Sequence, residues 1–134
     1  MVDEPAYKIA YRFRKILVPI TPDERSRDAV EVAADFYRRY GSHIVFLYVV
    51  EGDDKSKEVD ELVKRYAGDI AYELKIKRAG EGETAASVIV EEAKNFYDLV
   101  ILESRGYTGA EALLHRSTSV AVALAAPTSV LILR

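Results

Sequence analysis

Five short apolar segments, separated by stretches of helical periodicity, limit the folds open to this chain more than any other feature. Four of them are nearly continuous apolar runs, which is typical of strands buried on both faces. The third alternates loosely and predicts a strand that is more exposed on one side. The segments are KILVPI at 15–20, HIVFLYVV at 43–50, residues 70–79, YDLVILE at 97–103 and SVLIL at 129–133.

The first interval between strands carries an explicit helix start. Thr21 is placed to cap the helix, Pro22 to occupy its first turn, and Glu24 to complete a capping box. Gly41 is a natural C-terminal stop for this helix. Further helices are predicted around residues 59–66, around residues 85–93, and over residues 109–125, just before Pro127.

The alternation of strands and helices defines the fold class. Strand–helix–strand units join parallel strands through right-handed crossovers, which place helices on both faces of the sheet. The sequence therefore predicts a single-domain α/β fold, a doubly wound five-stranded parallel sheet of the Rossmann-like type. In such sheets ligands bind outside the carboxyl ends of the strands. The candidate site is accordingly formed by the loops after the first, second and fourth strands.

Residues 1–14 are interpreted as an N-terminal extension that precedes a domain spanning residues 15–134. In the extension, large apolar residues alternate with small or charged ones, at Tyr7, Ile9, Tyr11 and Phe13. This alternation has the periodicity of a strand. A mobile tail, an added edge strand and an arm laid on a partner all remain open.

Composition excludes several classes of function. The 134 residues carry 19 basic and 22 acidic side chains, a net charge of −3, whereas proteins that bind nucleic-acid backbone carry a basic surplus. The absence of cysteine excludes disulfides and thiolate metal sites, and no metal is expected. No apolar stretch approaches the roughly 20 residues of a membrane span, and the N-terminus lacks a signal segment. We therefore expect a cytoplasmic protein that binds neither nucleic acid nor membrane.

Motifs that would identify an enzyme are missing from the candidate loops. No P-loop occurs, and no dinucleotide-binding glycine pattern follows the first strand. The segment Leu102-Glu103-Ser104 matches a nucleophile elbow only in part, because Leu102 stands where that motif has a glycine. His43 and His115 have no placement that marks either as a catalytic base. The chain is therefore interpreted as non-enzymatic, with no catalytic residue.

A set of short motifs runs in order through almost the whole chain. They are KILVPI with its following loop, Leu47-Tyr48-Val49, YDLVILESRGYTG, Leu113-Leu114-x-x-Ser117 and the ending APTSVLILR. In this ordered combination the chain from Lys15 to Arg134 resembles the universal stress protein family. The resemblance implies the adenine nucleotide alpha hydrolase-like form of the Rossmann-like fold, and a role in the stress response.

The resemblance also implies where a nucleotide would bind. Members of that family that bind ATP share an Asp after the first strand and a G-x2-G-x9-G-[ST] motif after the fourth. The glycines let backbone amides approach the phosphates, and the hydroxyl completes the cradle. In this sequence Thr21 occupies the Asp position. The motif positions fall on Glu103, Gly106, Arg116 and Ser117, so two of the three glycines are replaced.

These replacements predict that ATP binding is lost or strongly weakened. A carboxylate at Glu103 repels phosphate, and the bulk of Arg116 fills a turn where the main chain must come close. Because both would flank the same phosphates, Glu103 and Arg116 are candidates to pair with each other across the pocket. The residues that remain weak candidates for nucleotide contact are Pro19, Ile20, Thr21, Val49, Gly106, Ser117 and Thr118.

Three functions are compatible with this interpretation. The first is a non-enzymatic, dimeric stress-response protein that needs no cofactor. The second is a switch that binds ATP or AMP, or a slow ATPase, which would use ATP with Mg. The third is a binder of small anions or metabolites that uses Arg105 and Arg116.

The last strand predicts a homodimer. It is apolar and, as the fifth strand, is expected at the edge of the sheet, where an exposed apolar strand is a liability unless it is paired or covered. In the proteins that this chain resembles, that strand pairs antiparallel with its twofold mate. The expected interface residues are Ser129, Val130, Leu131, Ile132 and Leu133. Tyrosine is common at protein contacts, which adds the candidates Tyr7, Tyr11 and Tyr107.

Overall fold

The structure of the protein is a computed structural model, which describes the backbone of residues 4–104 and 109–134 and the side chains of residues 8–104 and 117–134. The strands in these residues are β1 (Lys15–Ile20), β2 (His43–Val50), β3 (Glu73–Arg78), β4 (Leu99–Glu103) and β5 (Ser129–Leu133). The helices are α1 (Glu4–Arg12), α2 (Arg27–Tyr40), α3 (Ser56–Ala67), α4 (Ala85–Ala93) and α5 (Gly109–Ala125). Within the same residues, no helix is both long enough and apolar enough to cross a membrane.

The described strands form one parallel sheet in the order β3-β2-β1-β4-β5. The strand order therefore reverses between β1 and β4. The chain runs outward from β1 to β3, then crosses back to the other side of β1. The predicted doubly wound α/β fold with five parallel strands is confirmed.

Successive residues of β1 point to opposite faces of the sheet and enter two separate cores. On one face Ile16 and Val18 pack with α2 and α3, and on the other face Leu17 packs with α4 and α5. All three side chains are fully buried. The helix residues packed there include Ala29, Val30 and Ala33 of α2, Val59 and Val63 of α3, Ile89 and Ala93 of α4, and Val122 of α5. Helices therefore cover both faces of the sheet.

The chain leaves β1 through a turn that differs from the predicted helix start. A single 3₁₀ turn (Glu24–Ser26) comes first, and Asp23 caps it by accepting a hydrogen bond from the Arg25 amide at 2.9 Å. The prediction of Thr21 as the cap is wrong. An Asp carboxylate reaches the amide two residues ahead of it, so it captures the first available donor. At the other end of α2, Gly41 adopts a left-handed conformation with φ 71° and stops the helix as predicted.

Glu24 does not complete a capping box but ties this turn to α3. Its carboxylate accepts a hydrogen bond from the Tyr66 hydroxyl at 2.5 Å and forms an ion pair with Arg65. The guanidinium of Arg27 lies 4.8 Å from the centre of the Tyr66 ring. The loop after β1 is therefore held by α3 as well as by its own cap.

The N-terminal segment is a helix, so the strand periodicity assigned to it is wrong. Every second residue of a strand faces the same side, so residues four apart share that side. Residues four apart also share one face of a helix, and the two patterns can be confused. Ile9 and Phe13 are one of these pairs. The Phe13 ring packs edge-on against Phe36 of α2 with 6.3 Å between ring centres, and the Ser42 hydroxyl donates to the Phe13 carbonyl at 2.7 Å.

The edge strand β3 is shorter than predicted and is attached to α4 by a buried carboxylate. Glu92 on α4 is 1% exposed, and its oxygens lie 2.9 Å from Nζ of Lys75 and 2.6 Å from Nζ of Lys77. The Tyr97 hydroxyl donates to the same carboxylate at 2.7 Å. Burial alone would raise the pKa of Glu92, but the hydrogen bonds from Lys77, Lys75 and Tyr97 outweigh it and lower the pKa to about 2.

We expect this carboxylate to stabilise the fold most strongly above its ordinary pKa of 4.5 and to lose that contribution as the pH falls toward about 2. The reason is that the folded state has the lower pKa, so protonation favours unfolding. Urea midpoints measured across this pH range should fall more steeply for the native chain than for Glu92→Gln. The exposed neighbour Glu91→Gln serves as the control and should keep the native slope. Equal slopes for Glu92→Gln and the native chain would contradict the assignment.

Candidate functional site

A cavity of 760 Å³ opens at the carboxyl ends of the strands, where the strand order reverses between β1 and β4. Ligands of α/β proteins bind at this place, because two loops diverge there and leave a crevice. The volume lies within the range of small-molecule sites. The loops after β1 and β2 contribute to the described part of the wall, and so do the carboxyl end of β4, the start of α4 and the second half of α5.

Most of the residues proposed from the sequence line this cavity. The six described ones are Pro19, Ile20, Thr21, Val49, Ser117 and Thr118. Gly106 lies outside the described residues. Leu47, Ile89 and Leu102 add an apolar floor beneath them. Their contact with a nucleotide stays a prediction, because proximity to a cavity does not by itself identify a ligand.

The loop after β1 is fixed by a buried hydroxyl. Ser26 Oγ accepts a hydrogen bond from the Thr21 amide at 2.7 Å and lies 2.9 Å from Thr21 Oγ1. The Ser26 amide in turn donates to the Asp23 carbonyl at 3.2 Å. The Thr21 and Asp23 side chains are therefore held at the cavity wall in one arrangement.

The loop after β2 is organised by Tyr48, a residue to which no role was assigned from the sequence. Its buried hydroxyl accepts a hydrogen bond from the Lys55 amide at 3.1 Å and lies 3.5 Å from the Asp53 carbonyl. Arg78 of β3 donates to the Gly52 carbonyl at 3.0 Å. The pattern HIVFLYVV predicts a buried Tyr48, and a buried tyrosine usually finds a partner for its hydroxyl, so this signal was available.

The start of α4 also lines the cavity, although the loop after β3 was not among the predicted site loops. Thr84 caps this helix, accepting from the Ser87 amide at 3.1 Å, while the Ser87 hydroxyl accepts from the Thr84 amide at 2.9 Å. Gly82 precedes the cap with φ 79°, a conformation that favours glycine. The Thr84-x-x-Ser87 spacing is the sequence signal that identifies this helix start.

Carboxylates outnumber cations among the described residues of the cavity wall. The acidic residues there are Asp23, Glu51, Asp53 and Glu103, and the basic residues are Arg25 and Lys55. Glu103 ends β4 and pairs in register with Leu133 of β5. The side chains of Arg105 and Arg116 lie outside the described residues, so the Glu103–Arg116 pair stays a hypothesis. No group of His, Asp or Glu suited to a metal ion occurs in the described part of the chain.

The partial nucleophile elbow and the described histidine have structural partners. The Ser104 hydroxyl donates to the Leu133 carbonyl at 3.1 Å. His43 lies at the opposite end of the sheet, where its Nε2 is 2.7 Å from a Glu73 carboxylate oxygen and lowers the pKa of that carboxyl group. His115 is outside the described side chains. These contacts favour a structural role for Ser104 and His43.

The strand β5 lies at the edge of the sheet, as the sequence predicts. Leu131 is 36% exposed on this strand, and α5, which contacts β5, exposes Leu124 to 83%. These side chains give the edge an apolar border. The homodimer stays a prediction.

Residues 12–134 match the family described as "Universal stress protein family". No curated protein matches the chain at a significant level. The family match covers far more than half of the sequence, and the fold is the one that the sequence motifs imply. The chain belongs to the universal stress protein family.

Solved structures of this family share the fold at low sequence identity. A universal stress protein in complex with cAMP has 19% identity and a TM-score of 0.73, with 92% of this chain and 98% of that chain covered. A universal stress protein from Archaeoglobus fulgidus in complex with dAMP has 16% identity and a TM-score of 0.67, with coverage of 92% and 99%. The universal stress protein UspA from Lactobacillus plantarum has 20% identity, a TM-score of 0.67 and the same coverage. At these identities the similarity establishes the fold.

Replacing Ser26 by alanine should loosen the loop after β1. The change leaves the Thr21 amide without its acceptor, which we expect to lower the free energy of unfolding by about 1–2 kcal/mol. Urea denaturation measures the loss. Ser117→Ala removes an exposed hydroxyl elsewhere on the cavity wall and should cost much less. Equal stabilities of Ser26→Ala and Ser117→Ala would contradict the role assigned to Ser26.

Proposed function

We propose that this protein is a non-enzymatic, dimeric member of the universal stress protein family that acts in the stress response and has lost strong ATP binding. The observation that carries this proposal is that one backbone amide in the turn after β1 and one at the start of α4, both beside the cavity, are already bonded by the chain's own side chains. The Asp23 carboxylate accepts a hydrogen bond from the Arg25 amide in the turn after β1. The Thr84 hydroxyl accepts one from the Ser87 amide at the start of α4.

The occupied amides matter because phosphate groups bind at free helix N-termini. Such sites work through unsatisfied backbone N–H groups and the positive end of the helix dipole. A cap removes a donor, and the carboxylate of Asp23 also places a negative charge where a phosphate would lie. Two features that attract phosphate in related folds are therefore weakened here.

The charge of the wall supports the same proposal. Glu103 stands where ATP-binding relatives have the first glycine of their motif, and its carboxylate lines the cavity. A phosphate close to this group meets electrostatic repulsion from the carboxylate. Thr21 replaces the expected Asp and bonds to Ser26 instead. No cofactor is therefore part of the proposed function.

The absence of an enzymatic role is supported by the contacts of the described residues that resemble catalytic groups. Ser104 donates to a backbone carbonyl, and His43 lies at the far end of the sheet from the cavity. We also propose that residues 15–134 form the family domain and that residues 1–14 are an extension. The family match begins at residue 12, close to this boundary.

The second candidate function is an ATP- or AMP-binding switch, or a slow ATPase, and the cavity itself favours it. A volume of 760 Å³ with an apolar floor accommodates an adenine ring and ribose. Structures similar to this one are described with cAMP and with dAMP bound. The two proposals differ in whether the site binds or repels phosphate. Affinities for ligands that carry different numbers of phosphates therefore distinguish them.

Calorimetric titration with adenosine, AMP and MgATP separates these two functions. The protein must first be freed of any ligand carried through purification. We expect no saturable binding of MgATP at near-physiological concentration, and an affinity that falls as phosphates are added. Micromolar binding of MgATP that is lost in Gly106→Glu would instead establish the switch. Binding of inorganic phosphate that is lost in Arg116→Ala, without dependence on adenine, would establish the anion binder.

Variants at Glu103 test the charge argument directly. Glu103→Gln removes only the charge, and Glu103→Gly removes both the charge and the side chain. We expect the affinity for MgATP to rise by at least about tenfold in Glu103→Gly, with part of that gain already present in Glu103→Gln. Glu61→Gln on the exposed side of α3 is the matched control. No gain in either Glu103 variant would contradict the argument.

We propose that the homodimer forms through Ser129–Leu133. The strand β5 is an edge strand without a charged side chain among its residues, whereas the opposite edge strand β3 carries Glu73 and several basic side chains. Charged residues protect an edge from pairing, and an apolar edge invites it. Pairing of β5 with a second copy would also cover Leu131 and Leu124.

A charge on the β5 edge should therefore dissociate the dimer. We expect Leu131→Lys to halve the mass measured by light scattering, since the lysine would be placed in the paired interface. Ile76→Lys is the control, because Ile76 is also a partly exposed apolar residue, at 45%, but lies on the opposite edge of the sheet. The same mass for the native chain and Leu131→Lys would exclude this interface.

A further inference from the structure

The segment that leads from α1 into β1 concentrates positive charge in a chain that is acidic as a whole. Within residues 8–15 there is no acidic residue, and the four cations are Lys8, Arg12, Arg14 and Lys15. Residues 1–15 together contain four basic and two acidic side chains, a net charge of +2. The whole chain carries −3, so the remaining residues carry −5. Such an asymmetry bears on what a protein binds rather than on how it folds.

The cations of this segment are not neutralised by carboxylates, unlike many others in the protein. Lys8, Arg12 and Arg14 are exposed, and no carboxylate among the described side chains forms an ion pair with them. The Asp98 carboxylate is bonded to the backbone amides of Arg14 and Lys15. The described cations that do have carboxylate partners are Arg25, Arg27, Arg38, Lys64, Arg65, Lys75, Lys77 and Lys94.

The helix α1 has one exposed basic face and one packed apolar face. Lys8, Tyr11 and Arg12 are three and four residues apart, which places them on one face of the helix. The Tyr11 side chain is 61% exposed. Ile9 and Phe13 share a different face, where Ile9 is half-buried and the Phe13 ring packs against α2. The exposed face therefore presents a tyrosine between two cations.

The backbone that carries these side chains is fixed to the rest of the protein. The Ser42 hydroxyl donates to the Phe13 carbonyl at 2.7 Å, and the His43 amide donates to the Arg14 carbonyl at 2.7 Å. The Asp98 carboxylate accepts a hydrogen bond from the Arg14 amide at 3.0 Å. Because the backbone is already ordered, binding of a partner costs only the ordering of exposed side chains.

We propose that a basic surface formed by Lys8, Tyr11, Arg12 and Arg14 binds an acidic segment of another protein. Lys8 and Arg12 are separated by about 6 Å along the helix axis. Carboxylates on one side of an extended segment repeat at about 6.6 Å, which is nearly the same spacing. Tyrosine and arginine are also the residue types that contribute most at protein interfaces.

Two other anionic partners fit this surface less well. Nucleic-acid binding rests on many phosphate contacts, and the net charge of −5 on the rest of the chain opposes them. An amphipathic helix binds a lipid surface by burying its apolar face. In α1 that face is turned toward the protein through Ile9 and Phe13. A short acidic protein segment requires only the exposed basic face.

Fluorescence anisotropy tests the proposal with the full chain and a labelled peptide that has five glutamates on either side of one leucine. At about 0.15 M salt we expect saturable binding that weakens as salt is added, because exposed charges are screened. Arg12→Glu should weaken binding by about tenfold, since it removes one attractive charge and adds a repulsive one. Tyr11→Ala should weaken it by about threefold without a change in charge. Lys57→Glu, at an exposed cation of α3, is the matched control and should leave the affinity unchanged.

Urea unfolding distinguishes loss of the contact from loss of the fold, and the midpoint of Arg12→Glu should stay close to the native value. Absence of saturable binding overturns the proposal, and so does equal weakening by Arg12→Glu and Lys57→Glu. Tighter binding of a ten-nucleotide single-stranded DNA or of phosphatidylserine vesicles would also overturn it. A mass that grows with protein concentration and is restored to the monomer by Arg12→Glu would instead make a second copy the occupant. None of these results depends on the β5 interface or on the ligand of the cavity.

Discussion

Backbone pairing of β1 with β2 on one side and with β4 on the other creates the crevice on which the proposals about ligand binding depend. In a parallel sheet the loops that follow the strands all lie at one end. Where the strand order reverses, the loops after the two neighbouring strands turn to opposite sides of the sheet. The fully buried residues of β1 fix its central position, because each face of this strand is needed by one of the two cores. A strand with one polar face would not serve there.

The cavity shows how a binding fold can keep its shape while the chemistry of its wall changes. The space at the switch point follows from the strand order. The ability to hold phosphate depends on bare amides and on the sign of the nearby charges. In this chain Asp23 and Thr84 each bond one such amide, and Glu103 adds a carboxylate to the wall. Shape and ligand preference are therefore separable.

The sequence predicted the strands and helices well where the pattern was long or continuous. The second strand, the last helix and the last strand agree with the structure to the residue, and the third strand is three residues later at its start than predicted. Prediction from the sequence failed where more than one residue could make the same contact. Asp23 and Thr21 both offer a capping oxygen, and the choice depends on Ser26, which binds the Thr21 amide. Glu24 was assigned to a local cap, but a partner 41 residues away, Arg65, engages it.

Local patterning by itself determined the α/β class and the alternation of elements, because hydrophobic period and turn chemistry act over a few residues. Tertiary structure alone decided the helical form of residues 4–12, the entry of α4 into the cavity wall and the burial of Glu92 between two lysines. Those features arise from contacts between residues distant in the chain.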